Sequence, residues 1–451
     1  MTSTMVYGLA VAGEAVARAL VERGERVVLA DDFINARHLQ LAAELGTILI
    51  DGADVKEIDR QIRNIDRVVP APGVPERHRI ISESRALQIP LMSEIEVAYR
   101  IEQERDGGPR PMVGVTGTDG KTTTTLMAAA ILTKAGHRSM AVGNTETPLI
   151  AALNSSTQVF AVECSSFRLA YTEQFRVRAS VWLNFAPDHL DWHDSIDSYR
   201  DAKANIWQYT RAGDVAVAPA DDDLLLGIAR DAAARTVTFG TNRGDYSGIG
   251  RKLASPHGLI MSADEMKRSL PHDVTNALAA AAICIEAGLA EPQHVAQAMA
   301  EFKHAPHRIQ IVAERDGVRW YDDSKATSPH AAQVALRSFD NIVLIAGGRN
   351  KNLDLSSMAS QPGRMRAVVA IGESAPDIFS AFNGMCPVET ATSMQDAIRF
   401  ARRRAKSGDV VLLSPGCASY DWYSNYNERG DDFSRLVIGE LGEEFKHVDC
   451  N

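Results

Sequence analysis

The stretch Val115-Thr-Gly-Thr-Asp-Gly-Lys-Thr-Thr123 follows a strand-like run, Met112-Val-Gly-Val, and precedes a segment with Leu126, Ala130 and Ile131 at helical spacing. A strand, a glycine-bracketed loop and a helix in that order aim several backbone N–H groups at one point, and the helix opening adds partial positive charge. Lys121 supplies a full charge and Thr122 a hydroxyl suited to Mg²⁺, so Gly117, Thr118, Asp119, Gly120, Lys121, Thr122 and Thr123 read as a cradle for ATP phosphates. Val115 stands where the general phosphate-loop pattern has glycine, so the match begins at Gly117. The plainer alternative, a glycine turn with a surface lysine, leaves the flanking strand, the helix and the Thr122-Thr123 pair unexplained.

Outward from this loop, strands alternate with helical stretches. Upstream, Val6–Val11 reads as a strand meeting a helix near Gly13, followed by Arg26–Ala30 ending in Asp31-Asp32, then Thr47–Ile50 and Arg67–Val69. The Gly/Pro-rich stretch Glu104–Pro111 marks a linker. Downstream, Val159–Val162 and Ser180–Leu183 end in polar clusters, Glu163–Ser166 and Asn184–His189. Ligands of open parallel sheets gather beyond the carboxyl ends of the strands, so both clusters belong on the rim that carries the phosphate loop. After Lys303-His-Ala-Pro-His-Arg308 a third alternating region holds Val318–Tyr321, Ile342–Ala346, Ala367–Ile371 and Val410–Leu413. The expected fold is α/β with three domains: Rossmann-like over 1–105, a P-loop-type central ATP-binding domain over 106–305, and Rossmann-like again over 306–451.

Composition narrows the class. A chain of 451 residues exceeds one core, and 45% hydrophobic with 24% charged residues is the balance of a folded globular protein. No stretch approaches the roughly 18 unbroken apolar residues of a membrane span. A net charge of −10 argues against sequence-independent nucleic-acid binding. Cysteines 164, 284, 386, 417 and 450 lack paired spacing, and no basic leader precedes Glu14 and Arg18, so reduced thiols and a cytoplasmic location are expected.

Further motifs follow the loop in order: Glu163-Cys-Ser-Ser-Phe-Arg-Leu169, Asn184-Phe-Ala-Pro-Asp-His-Leu-Asp191 and Tyr199-Arg-Asp-Ala-Lys203. After them come Asn276-Ala-Leu-Ala-Ala280, Pro306-His-Arg308, Asp322-Asp-Ser-Lys-Ala-Thr327, Gly347-Gly-Arg-Asn-Lys351, Ser414-Pro-Gly-Cys-Ala-Ser-Tyr-Asp421 and Arg429-Gly430. Together with Gly117–Thr123 they resemble the Mur ligases, the amino-acid-adding enzymes of peptidoglycan synthesis, along the whole chain. Asp322–Thr327 and Ser414–Asp421 look like the D-glutamate-adding branch rather than the diaminopimelate- or lysine-adding one or folylpolyglutamate synthetase.

The resemblance implies that ATP phosphorylates the alanyl carboxylate of UDP-N-acetylmuramoyl-L-alanine and that the amine of D-glutamate displaces phosphate. Two Mg²⁺ ions are implied, with Thr122, Glu163, His189 and Lys203 at the metal sites and Lys203 carbamylated by CO₂. Taken alone, Lys203 is a solvated helix lysine and His189 a structural histidine; Glu163 follows an apolar strand, where an unpaired carboxylate is costly. By the same resemblance Asn276, Arg308 and Asp323 hold adenine, phosphate and ribose, and Lys325 lies near the transferring phosphate, joining Lys121, His189 and Lys203 as catalytic. Ala10 in Gly8–Gly13, Asp31, Asn144 and His189 face the UDP-linked acceptor, with Asp31 reading uracil. Thr327, Lys351, Ser419 and Tyr426 hold glutamate, whose two carboxylates call for a cation and neutral donors. Three departures stand out: Thr145-Glu146 after Asn144, Asp273 in place of a second asparagine, and Tyr426 in place of Phe. A monomer is expected. The competing readings are another ligase of this fold, an NAD(P)-binding oxidoreductase read from the first sheet alone, and a nucleotide-binding homologue without activity.

Overall fold

The computed structural model describes residues 2–442; Cys450, expected to be a reduced thiol, lies outside them. Three sheets order the chain. The first is parallel, with strands Ile48–Asp51, Arg26–Asp31, Ser3–Tyr7 and Arg67–Pro70 side by side. The expected strand Val6–Val11 is shifted: it ends at Tyr7, and Val11 already begins the helix Val11–Glu22. Gly8 causes the break, since its φ of +88° is a left-handed conformation that no extended strand continues through. Gly13 is equally constrained, because a Cβ there would run into Gly8 O.

The second sheet has nine strands. Met112–Thr116 sits between Ala179–Trp182 and Val159–Glu163, all three parallel, so their carboxyl ends open side by side. Val215–Pro219 and Arg235–Gly240 extend it in parallel, and an antiparallel hairpin, Lys252–Ser255 with Gly258–Ser262, closes the edge. The helices Lys121–Lys134 and Pro271–Glu286 share one core with Val113, Val115 and Val181; the Ala279–Ala282 run in the second helix has no bulk to hold it off. On the other face Phe160, Val162, Trp182 and Trp207 join Val16, Leu20 and Ile95 in one continuous cluster. That shared core explains why the first two sheets form one compact unit, which ends at Phe302.

The second unit begins at Lys303 and holds a six-stranded sheet. Gln310–Arg315 pairs antiparallel with Val318–Asp322; Val410–Leu413, Ile342–Gly347, Met365–Ile371 and Val388–Thr390 follow in parallel. Among the described residues no helix is long and apolar enough to cross a membrane, and Cys164, Cys284, Cys386 and Cys417 are free.

Candidate active site

The phosphate loop takes its shape from two glycines and one asparagine. Gly120 is the left-handed N-cap of the helix Lys121–Lys134, and a Cβ on it would lie 2.8 Å from Asn276 Oδ1. Asn276 therefore abuts the loop from the helix Pro271–Glu286. Asn184 Oδ1 accepts the amides of Thr118 (3.0 Å) and Asp119 (2.9 Å), while its Nδ2 donates to Asp119 O. Those two amides are committed to the protein, which leaves the helix opening at Lys121–Thr123 to meet phosphate oxygens. Thr118 Oγ1 is tied in turn to Tyr199 OH and Ala186 O, both at 3.1 Å.

Two lysines converge on one carbonyl. Lys121 Nζ donates to Gly117 O (2.9 Å) and Thr118 O (2.7 Å), and Lys203 Nζ donates to the same Gly117 O (2.6 Å). Lys203 is 1% exposed, not the solvated helix lysine its local sequence suggests. Its helix Ile196–Gln208 buries Tyr199, Lys203, Ile206 and Trp207 on one face, and the ammonium lies 4.7 Å from the Tyr199 ring centre. Burial, reinforced by the nearby Lys121 charge, holds the Lys203 amine well below the ordinary lysine range.

Glu163 ends its strand directly beside the loop strand, in register with Val115. It is 1% exposed; Oε1 accepts Asn144 Nδ2 at 3.0 Å, and Oε2 is buried without a hydrogen-bond partner. An orphaned buried carboxylate oxygen is costly in a protein interior and is the donor type that a hard cation takes. This oxygen and the Thr122 hydroxyl of the helix Lys121–Lys134 are hard donors of the kind Mg²⁺ takes; the Lys203 amine would become one only as a carbamate. His189 follows Asp188 with φ +56°, an uncommon conformation for a residue with a Cβ, and its ring meets Phe167 edge-on at 4.7 Å. Asp188 Oδ1 accepts the His189 amide at 2.8 Å.

In the first sheet, Ala10 is the N-cap of the helix Val11–Glu22. Asp31 accepts the amides of Leu9 (2.7 Å) and Phe33 (3.0 Å), bolting the glycine turn to the end of the second strand. The neighbouring Asp32 carboxylate binds Tyr7 OH at 2.5 Å and His78 Nε2 at 3.1 Å. Asp273 is wholly buried and takes a bidentate Arg268, with both bonds at 2.7 Å. An asparagine could not accept both bonds, so Asp273 is held here by Arg268.

The second unit brings its own motifs together. Arg308 is flanked by His307 (φ +59°) and Ile309 (φ +49°), and positive φ at a β-branched residue is strained. His307 Nδ1 meets Asp322 Oδ2 at 2.6 Å, Ile309 N donates to Asp323 Oδ1, and Ser414 Oγ donates to Asp323 Oδ2 at 2.7 Å. Burial pushes the Asp323 carboxyl up to about 7. The folded protein holds that proton at a pH where an unfolded chain has released it, so the contribution to stability is complete below about pH 4 and is lost as pH rises through about 7. Asp323→Asn is expected to flatten that fall, read as urea midpoints at pH 5 and pH 8; an unchanged slope overturns the assignment.

Gly347 N donates to Pro415 O, Arg349 and Ala418 exchange two backbone bonds, and Gly416 N donates to Ala326 O. The loops carrying Lys325 and Thr327, Lys351, and Ser419 are thereby joined. Lys325 Nζ lies 3.7 Å from the Tyr426 ring centre, so the Tyr426 aromatic face is engaged by a cation. Arg429 holds the cluster from beneath: it is 1% exposed and donates to Ser324 Oγ (2.9 Å), Ser324 O (2.8 Å), Cys417 O and Ala418 O. In the sequence Arg429 stands out only as a motif match; its role as a clamp, like that of Asn184, depends on partners far away in the chain.

The chain is similar to known proteins along nearly its whole length. Residues 115–284 match the Mur ligase middle domain and residues 307–417 the Mur ligase glutamate ligase domain. The chain belongs to the Mur ligase family and is a ligase. It is 38% identical to the UDP-N-acetylmuramoylalanine–D-glutamate ligase of Frankia casuarinae, over 97% of this chain and 94% of that protein. Identity to the protein of the same name from Rubrobacter xylanophilus is 37%, over 97% and 99%. Among solved structures, the UDP-N-acetylmuramate-alanine ligase of Thermotoga maritima superposes with a TM-score of 0.60 at 20% identity, covering 98% of this chain and all of that one. The MurF ligase of Thermotoga maritima, solved in complex with ADP, gives 0.59 at 18% identity over 86% and 91%; both share the fold.

Proposed function

We propose that this chain joins D-glutamate to UDP-N-acetylmuramoyl-L-alanine in the cytoplasm, with conversion of ATP to ADP and phosphate, as a step in making peptidoglycan precursor. One observation carries the chemistry: two lysines and a buried, unpartnered carboxylate oxygen meet around the rim of a phosphate loop. The substrate follows from the relatives' name together with Thr327, Lys351, Ser419 and Tyr426, a cation among neutral donors and an aromatic ring.

A carboxylate is a poor electrophile and must be activated before an amine can attack it. An oxygen of the alanyl carboxylate attacks the γ-phosphorus, the bond to the β-phosphate oxygen breaks, and ADP leaves an acyl phosphate. The glutamate amine then attacks the acyl carbon, the C–O bond to phosphate breaks, and the amine loses a proton. The work is charge neutralisation and alignment of anions. Lys121 pairs with the phosphates, Gly117–Thr123 cradle them, and Asn276 lies against the loop where adenine is assigned. Arg308 and Asp323 are assigned to phosphate and ribose, and Lys325 to the transferring group. Thr122, Glu163, His189 and Lys203 are assigned to two Mg²⁺ ions, which when bound offset the charge of the phosphate chain. The buried, neutral-favouring Lys203 amine adds to CO₂ and releases a proton, giving a carbamate and a second anionic ligand. Ala10, Asp31, Asn144 and His189 are assigned to the UDP-linked acceptor. On this reading residues 1–105 hold the acceptor, 106–305 most of ATP, and 306–451 glutamate and part of the nucleotide.

The test is phosphate release coupled to product mass. UDP-N-acetylmuramoyl-L-alanine is offered with D-glutamate, L-glutamate, L-alanine or diaminopimelate, and UDP-N-acetylmuramate with L-alanine. Turnover with D-glutamate at least about 100-fold above every other pair is expected, a factor worth about 2.7 kcal/mol. Preferred use of UDP-N-acetylmuramate and L-alanine would overturn the substrate assignment, and binding of NADH in place of Mg-ATP would overturn the class.

A further inference from the structure

Behind Glu163 runs a line of three side chains, Glu94, Arg168 and Asn144, of which the proposed chemistry uses only Asn144. Glu94 opens the helix Glu94–Gln103, is 2% exposed, and accepts the amide of Ile150 at 2.7 Å through Oε1. Its Oε2 faces Arg168 Nε at 3.2 Å, and Arg168, in the short helix Ser166–Leu169, is itself buried. Arg168 Nη1 donates to Asn144 Oδ1 at 2.5 Å, and Asn144 Nδ2 donates to Glu163 Oε1 at 3.0 Å. The line ends at Glu163 Oε2, which has no partner.

Each link fixes the next. A guanidinium only donates, so the Asn144 oxygen must face Arg168. The amide nitrogen then faces Glu163 and occupies Oε1. Turned over, the amide would set N–H against the buried Arg168 guanidinium and C=O against the buried Glu163 carboxylate, two repulsive contacts. Glu94 holds Arg168 in place from the far side. We infer that Arg168, anchored by Glu94, is a positioning residue that sets the Asn144 amide and so leaves Glu163 Oε2 as the oxygen presented to the cation. The inference rests on the reading of Glu163 as a cation ligand. Groups that orient a metal ligand typically change metal affinity about 10- to 100-fold when removed.

The experiment follows free Mn²⁺ by electron paramagnetic resonance during titration of enzyme loaded with a non-hydrolysable ATP analogue. Glu163→Gln calibrates the site. Arg168→Met combined with Glu94→Gln removes both buried charges together, so neither is stranded. The Mn²⁺ Kd is expected to rise about tenfold in that variant and in Asn144→Ala, with no further rise when all three changes are combined. Glu94→Gln alone keeps the volume and weakens the anchor; it is expected to raise the Kd about threefold and decides the matter if the combined variant does not fold. Lowered melting temperature with unchanged Mn²⁺ affinity, or additive effects of the Asn144 and Arg168 changes, would overturn the relay while leaving Glu163 as ligand. Unchanged affinity in Glu163→Gln would overturn the ligand reading itself.

Discussion

Lys121→Ala is expected to lower kcat for phosphate release about a thousandfold while the Kd for D-glutamate stays within about twofold. The size follows from what the side chain does. Lys121 is anchored on Gly117 O and Thr118 O, so its ammonium sits over the loop before any nucleotide arrives. Charge placed in advance, in a site partly closed to water, is worth far more than the same charge in solution. Lys351→Ala is the contrasting variant, because Lys351 lies on the joined loops of the second unit with Ser419 and Thr327. Losing one charged contact to a carboxylate costs about 1.5–3 kcal/mol, so the KM for D-glutamate should rise about 10- to 100-fold with kcat little changed. Steady-state phosphate release with both substrates varied separates the two. Equal losses of kcat and glutamate affinity in both variants would sink the division of roles.

Lys203→Ala is expected to remove nearly all turnover, about 100- to 1000-fold, and to recover part of it, about tenfold, when formate or acetate is added. The alanine leaves a pocket bounded by Gly117 O and the Tyr199 ring, deep under the phosphate loop. A small carboxylate entering it supplies the anionic oxygens that a carbamate would have held there. Lys203→Arg is the control, since a guanidinium keeps a positive charge and adds no CO₂. Recovery in Lys203→Ala across several short acids, with none in Lys203→Arg, is the predicted pattern. No recovery with any acid would remove carbamylation from the account.

The sequence and the structure agree where a local signal sufficed. Gly117 and Gly120 mark the loop because each takes a backbone conformation or a close approach that a side chain would block. The run Ile342–Gly347 is buried on both faces and therefore reads as an unbroken apolar stretch. Where the signal is spread over distance, local patterning misleads. Apolar Leu9 and Val11 prolong the pattern of the first strand past Gly8, yet Leu9 is buried in the turn and Val11 is an exposed helix residue. The two-residue strand Tyr246–Ser247 is too short to show a period. Asn184 lies 65 residues from the Asp119 amide it holds, and Arg429 lies 105 from Ser324. Nothing in the local spacing of an arginine distinguishes a buried clamp from a solvated surface residue; only the fold supplies the partners.

Asn184 has a consequence for how fast the enzyme can exchange its nucleotide. A loop tied down by side-chain hydrogen bonds has given up its backbone freedom during folding, roughly 1–2 kcal/mol per residue, and gives up little more when a ligand enters. Thr118 and Asp119 are in that state. The part left to adjust is the Lys121 side chain, whose ammonium already sits at the loop and exchanges its two carbonyl partners for phosphate oxygens, and side-chain hops of that kind take picoseconds to nanoseconds. Refilling this half of the site between turnovers is therefore a matter of ion pairing and release, with no slow reordering of the loop in the cycle.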